Sequence, residues 1–149
     1  MTGARRPRGD PGQSLIEFAL VLPIFLLLLF GLIDIGRYVY TANALNQAAR
    51  EGARYGSVAG GTIGCSGGRA ACVRTTTLAR LAGVPGATVT VACQRSTAGS
   101  WSSPSVSSCR TNDLLAVTVD ANFEVLTPIV GQLIGSRHLT GYAQVTVNQ

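Results

Sequence analysis

The chain has 149 residues, 12 basic and 7 acidic side chains, a net charge of +5 and only 13% charged residues. Every basic residue is arginine, and no basic stripe interleaves with aromatics, which argues against nucleic-acid binding. The low charge and the abundance of Ala, Gly, Thr, Ser and Val fit an exported or membrane-associated protein, and the roughly 95 residues beyond a long N-terminal helix allow one small domain with a modest core.

Residues 1–12 read as a polar basic leader with Arg5, Arg6 and Arg8, broken by Pro7, Gly9 and Pro11 and lacking any apolar period. Such a segment is expected to be removed or to lack fixed structure. Residues 13–33 read as a transmembrane helix. About 20 residues span the hydrocarbon, and residues 15–33 supply nineteen if Glu17 sits at the interface. Pro23 is the one breaker, which membrane helices tolerate with a kink. Glu17 directly precedes the uncharged run of residues 18–33. A carboxylate costs about 2.5–3.5 kcal/mol at the centre of a membrane helix and less near its ends, so such a residue is a functional candidate. The plainer alternative is a carboxylate snorkelling at the headgroups. The leader arginines favour an N-terminus inside. Arg37, Arg50 and Arg54 on the other flank weaken that asymmetry, and Asp34 partly offsets Arg37 three residues on.

Residues 34–57 read as an amphipathic extension of the same helix. Ile35, Tyr38, Ala42, Leu45, Ala49, Gly52 and Gly56 are spaced alternately by three and four, a heptad stripe rich in small residues. An ordinary amphipathic helix lying on its own domain would show this pattern. So would a stripe that lets a neighbouring helix backbone approach closely.

Residues 58–149 read as an extracytoplasmic α+β domain. A glycine-rich loop holding Cys65 leads to a short helix over 73–82. Strands are expected around Val89, Val91 and Cys93, then from Leu115 through Val125, then around Ala143, Val145 and Val147. A one- to two-turn helix is expected over 128–135. The expected fold is therefore α+β: a long N-terminal helix covering the apolar face of a three-stranded antiparallel sheet.

Cys65, Cys72, Cys93 and Cys109 all follow the apolar run, which reads as disulfides in an oxidising compartment. Four cysteines allow three pairings. The sequential one, Cys65–Cys72 with Cys93–Cys109, closes two local loops, and each bridge would contribute about 2–4 kcal/mol. A metal site has little support, because His138 is the lone histidine and the cysteine spacings are not those of zinc sites. No catalytic residue is expected. No G-x-S-x-G elbow or phosphate loop occurs, and Asp113, Asp120 and Glu124 read as solvated strand and loop carboxylates.

The order basic leader, Gly12, four neutral residues (Gln13, Ser14, Leu15, Ile16), Glu17, Phe18 and apolar helix resembles the class III signal of type IV prepilins of the tight-adherence (Tad) pilus group. Residues 17–56, EFALVLPIFLLLLFGLIDIGRYVYTANALNQAAREGARYG, are similar to TadE-like proteins, minor pilins or pseudopilins of that system. The resemblance implies that a membrane aspartic prepilin peptidase cuts between Gly12 and Gln13, leaving Glu17 as the fifth mature residue, able to pair with the new amine of a neighbour. Major Tad pilins are short and typically carry Glu-Tyr, whereas here Glu17-Phe18 is followed by a long C-terminal domain, which points to a minor subunit. The implied partners are the peptidase, the pilus assembly platform, other pilin-like subunits and the lipid bilayer. No cofactor, metal, nucleic acid or small-molecule substrate is implied. The implied location is the cytoplasmic membrane, single-pass, N-terminus inside, with incorporation in a pilus. Two rivals are a secreted domain cut at Ala42-Asn43-Ala44 and an unprocessed anchored domain binding a ligand through the Trp101 loop.

Overall fold

The computed structural model describes residues 11–58, 67–97, 100–103, 106, 109–127, 131 and 135–148. In chain order these form α1 (Pro11–Val58), α2 (Gly68–Ala79), β1 (Thr88–Thr97), β2 (Ser100–Ser102), β3 (Leu114–Phe123) and β4 (Arg137–Thr146). Residues 1–10 of the leader lie outside the described residues.

α1 runs unbroken for 48 residues through Pro23. At 1.5 Å per residue it is roughly 70 Å long. Among the described residues, its large apolar side chains from Leu15 to Ile33 are exposed. The helix is long and apolar enough to cross a membrane. Its C-terminal half buries Leu45, Ala48, Ala49 and Ala53 against Val73 of α2 and against Leu115, Val117, Val119, Leu139 and Ala143 of the sheet.

The sheet is antiparallel with strand order β2-β1-β3-β4. Its three ten-residue strands are the expected three. The addition is β2, which folds the serine-rich loop back on β1 and pairs Trp101 with Ser96. β4 starts earlier than the apolar alternation around Ala143 suggests, because Leu139 is already buried and residues 137–140 pair with residues 120–123 of β3. β3 ends at Phe123 rather than Val125. The backbone beyond turns toward α1, where a side chain takes the N–H groups of Leu126 and Thr127. α2 begins at Gly68, five residues ahead of the expected start, since Arg69, Cys72, Val73 and Thr77 form its buried face. Most of the helix expected over 128–135 lies outside the described residues. Gly131 N–H bonds to Thr127 C=O and Gly135 N–H to Gly131 C=O, both at helical spacing.

Small residues set how closely these layers approach. A Cβ on Gly141 of β4 would stand 2.5 Å from the Leu45 carbonyl carbon and 2.8 Å from the Asn46 nitrogen. A Cβ on Gly52 would stand 2.1 Å from Thr77 Oγ1, and one on Gly56 2.3 Å from Leu115 Cδ2. All of these separations are shorter than real Cβ contacts: at Gly141 helix and strand meet backbone to backbone, and at Gly52 and Gly56 the side chains of Thr77 and Leu115 lie against the bare helix.

Cys93 and Cys109 are joined by a disulfide, one of the expected pairs. Cys72 is also disulfide-bonded. Cys65 lies outside the described residues, and with it the expected Cys65–Cys72 pairing.

Candidate functional site

The processing candidates sit at the free end of α1. Gln13, Glu17 and Phe18 are all exposed in its first turns. Gln13 Nε2 donates to Glu17 Oε1 at 3.4 Å across one helical turn. Among the described residues no other side chain bonds the exposed Glu17 carboxylate. A Cβ at Gly12 would meet nothing within 4 Å.

The heptad stripe divides in two. Leu45, Ala49, Gly52 and Gly56 are buried on the chain's own sheet and on α2. Ala42 is half-buried, whereas Ile35 and Tyr38 are exposed. The small residues of the distal half thus serve close packing inside this one chain.

Between the two halves lies a junction at Asp34, the first residue past the apolar run. Its side chain is buried, 7% exposed, and accepts three hydrogen bonds from the turn after β3. Leu126 N–H donates to Oδ1 at 3.1 Å, Thr127 N–H to Oδ2 at 3.1 Å, and the Thr127 hydroxyl to Oδ2 at 2.6 Å. Arg37 Nη1 stands 3.5 Å from Oδ1. The Thr127 hydroxyl is the largest influence holding the Asp34 carboxyl below its ordinary range. Burial opposes it, and the two backbone N–H groups and Arg37 reinforce it. One turn on, Arg37 lays its guanidinium over the Phe123 ring at 5.5 Å, and Tyr38 meets the same ring edge-on at 5.6 Å and 89°. The sequence pairs Asp34 with Arg37 only. A carboxylate at the membrane boundary, one turn before Tyr38, was the available signal that it holds something more.

Two further polar clusters brace the domain. Asp113 is buried beside the Cys93–Cys109 bridge and takes Arg95 Nε at 2.9 Å, Arg95 Nη2 at 2.5 Å and Arg110 N–H at 2.7 Å. Arg95 first, then the Arg110 N–H, hold its carboxyl down to about 2. Arg80, just past α2, pairs with Glu51 of α1. Cys93, Cys109 and Asp113 lie close enough to surround an ion, but the two sulfurs are bonded to each other and are not thiolates.

His138, Asp120 and Thr140 meet on the exposed sheet face. The Thr140 hydroxyl donates directly to Asp120 Oδ1 at 2.8 Å, and His138 Nε2 is 3.9 Å from that same oxygen. His138 Nδ1 also lies 3.5 Å from the Thr140 hydroxyl oxygen, but the hydroxyl proton is directed at Asp120 rather than at the imidazole. Glu124 is exposed, separate from Asp120.

Residues 12–54 match the family model described as TadE-like protein. The match starts at Gly12, contains Glu17, the apolar run and Asp34, and ends inside the part of α1 that seats on the sheet. No curated protein and no solved structure matches the chain.

Proposed function

We propose that this chain, TadE-like over residues 12–54, is a minor pilin or pseudopilin of a Tad-type pilus, structural rather than catalytic, acting in pilus assembly, adherence or secretion. The observation that carries the reading is the extent of the match, which opens on the glycine of the expected cut and covers the helix that would assemble. In this reading residues 1–12 are a leader removed by prepilin peptidase, 13–33 span the cytoplasmic membrane, 34–57 extend the helix, and 58–149 form the extracytoplasmic domain. The N-terminus is cytoplasmic, and the subunit passes through the assembly platform to other pilin-like subunits.

The physical logic follows the helix. An exposed carboxylate at Glu17, bonded among the described residues to Gln13 alone, supports a role for an outside cation, and the amine of a neighbour's Gln13 is the candidate. Pairing the two removes a charge that lipid would otherwise penalise. Because Leu45, Ala49, Gly52 and Gly56 are already packed within the chain, contacts with neighbouring helices fall to the exposed positions of the helix, among them the apolar residues of 15–30. Leu45 is fully buried, which disfavours a mature chain beginning there after a cut at Ala44.

N-terminal sequencing and intact mass of the protein from native membranes test the reading. The expected start is Gln13. A start at Met1 or Thr2 in cells with an active prepilin peptidase removes the pilin reading and leaves an anchored domain. Glu17→Gln is expected to permit the cut and to impair assembly; normal processing and normal assembly together would remove the carboxylate's role.

A further inference from the structure

At the Asp34 junction a groove of about 600 Å³ opens between α1 and the facing ends of β3 and β4. One wall is Gly31, Ile35 and Tyr38 of the helix; the other is Phe123 and Val125. Arg137 and His138 stand at its rim, both exposed. Its depth is fixed by the sequence. Gly31 lies inside the uncharged run, and Asp34 is the first charge after it. From Gly31 to Tyr38 the helix rises roughly 10 Å, comparable to the headgroup layer of one leaflet, roughly 5–8 Å. The turn held by Asp34 brings Leu126, 63% exposed, to the same height.

The charges around the groove are unevenly committed. Asp34 already receives three donors and Arg37, which lowers its repulsion of a second anion. Arg37 is occupied by Asp34 and the Phe123 ring. His138 leans toward Asp120 and Thr140. Glu124 lines a different groove beside Tyr40 and Pro85. Among the described residues no acidic group pairs with Arg137. An apolar trough that continues a membrane helix, with an exposed guanidinium at its mouth, has the chemistry of an amphiphile site.

We propose that this groove seats one anionic phospholipid of the surrounding leaflet. Its phosphate sits on Arg137 and one acyl chain lies along Gly31, Ile35 and Val125, with Leu126 in the same layer. The partner is the bilayer already around α1, because the groove is continuous with the surface that the bilayer covers. The lipid fixes the domain's height and tilt over the membrane. The proposal rests on α1 crossing the membrane and not on a cut at Gly12, so sequencing of the N-terminus and the following test fail independently.

The full chain is placed in nanodiscs of phosphatidylcholine with phosphatidylglycerol, released, and its retained lipids are counted by native mass spectrometry. The expected result is one retained phosphatidylglycerol, reduced about five-fold by Arg137→Gln, the scale of one basic contact with an anionic leaflet. Gly31→Leu tests the trough separately: Gly31 lines the groove and a Cβ there meets nothing within 4 Å, so a side chain can be built into it from that position. It is expected to lower retention while leaving Arg137 in place. Both variants change exposed or half-buried positions, and an intact Cys93–Cys109 bridge checks their folding. Equal retention by the unaltered chain and both variants, or no preference for phosphatidylglycerol over phosphatidylcholine, overturns the proposal.

Discussion

Asp34 and Thr127 stand 93 positions apart, yet the Thr127 hydroxyl and backbone N–H both end on Asp34 Oδ2, at 2.6 Å and 3.1 Å. The bond links the first polar residue after the apolar run to the turn that leaves β3. It therefore fixes how the domain is rotated about the helix at the end of the apolar run. Charge-assisted bonds to a carboxylate are directional and short, which suits such a clamp.

Replacing Asp34 by Ala tests the clamp. The N–H groups of Leu126 and Thr127 lose their acceptor, so their hydrogen exchange is expected to accelerate toward that of exposed turns, while Val117 and Val119 in the sheet centre stay protected. Unchanged exchange at Leu126 and Thr127 would show that the turn is held by other contacts.

Gly141→Ala is expected to destabilise by about 1–3 kcal/mol, because the added methyl meets the backbone of Leu45 and Asn46, which cannot turn aside as a side chain would. Gly36→Ala is the matched control. Its Cβ meets nothing within 4 Å, so the change is expected to stabilise the helix by about 0.5–1 kcal/mol. Thermal unfolding of the two variants in one detergent should move the midpoint in opposite directions.

Asp113 predicts acid sensitivity with a definite sign. Its folded carboxyl is held at about 2 against an ordinary 3.8, so the native state binds its proton less readily than the unfolded chain. The stability it contributes is complete above 3.8 and is lost as pH falls through that interval toward about 2. Denaturant midpoints measured across this range should fall more steeply for the unaltered chain than for Asp113→Asn. Parallel slopes would mean that Arg95 and Arg110 do not favour the charged form.

The Cys93–Cys109 bridge closes a loop of sequence separation 16. By chain entropy, loss of a bridge over a loop of this size costs about 3 kcal/mol. The paired variant Cys93→Ala with Cys109→Ala is expected to unfold at a correspondingly lower denaturant midpoint, while α1, whose apolar side chains from Leu15 to Ile33 are exposed among the described residues, keeps its helical signal. A midpoint equal to that of the oxidised protein would show that the loop is held without the bridge.

Periodicity determined much of this protein. An unbroken apolar run of this length reads as a helix able to cross a membrane, and the alternation in residues 115–123 reads as a half-buried strand, because successive side chains of a strand point to opposite faces. The resemblance of residues 12–54 to TadE-like proteins is a likeness of sequence and rests on no tertiary contact. What the tertiary structure alone decided are matters of long-range contact. The distal stripe reads equally as a face toward a neighbour or toward its own sheet, and only the placement of Gly141 and Thr77 against Leu45 and Gly52 assigns it inward. Asp34 reads as half of a local pair with Arg37, while its main partners lie on a turn more than ninety residues later, joined by hydrogen bonds that leave no period in the sequence. Sequence records which surfaces must leave water; which buried surface meets which is decided by the shape of the folded chain.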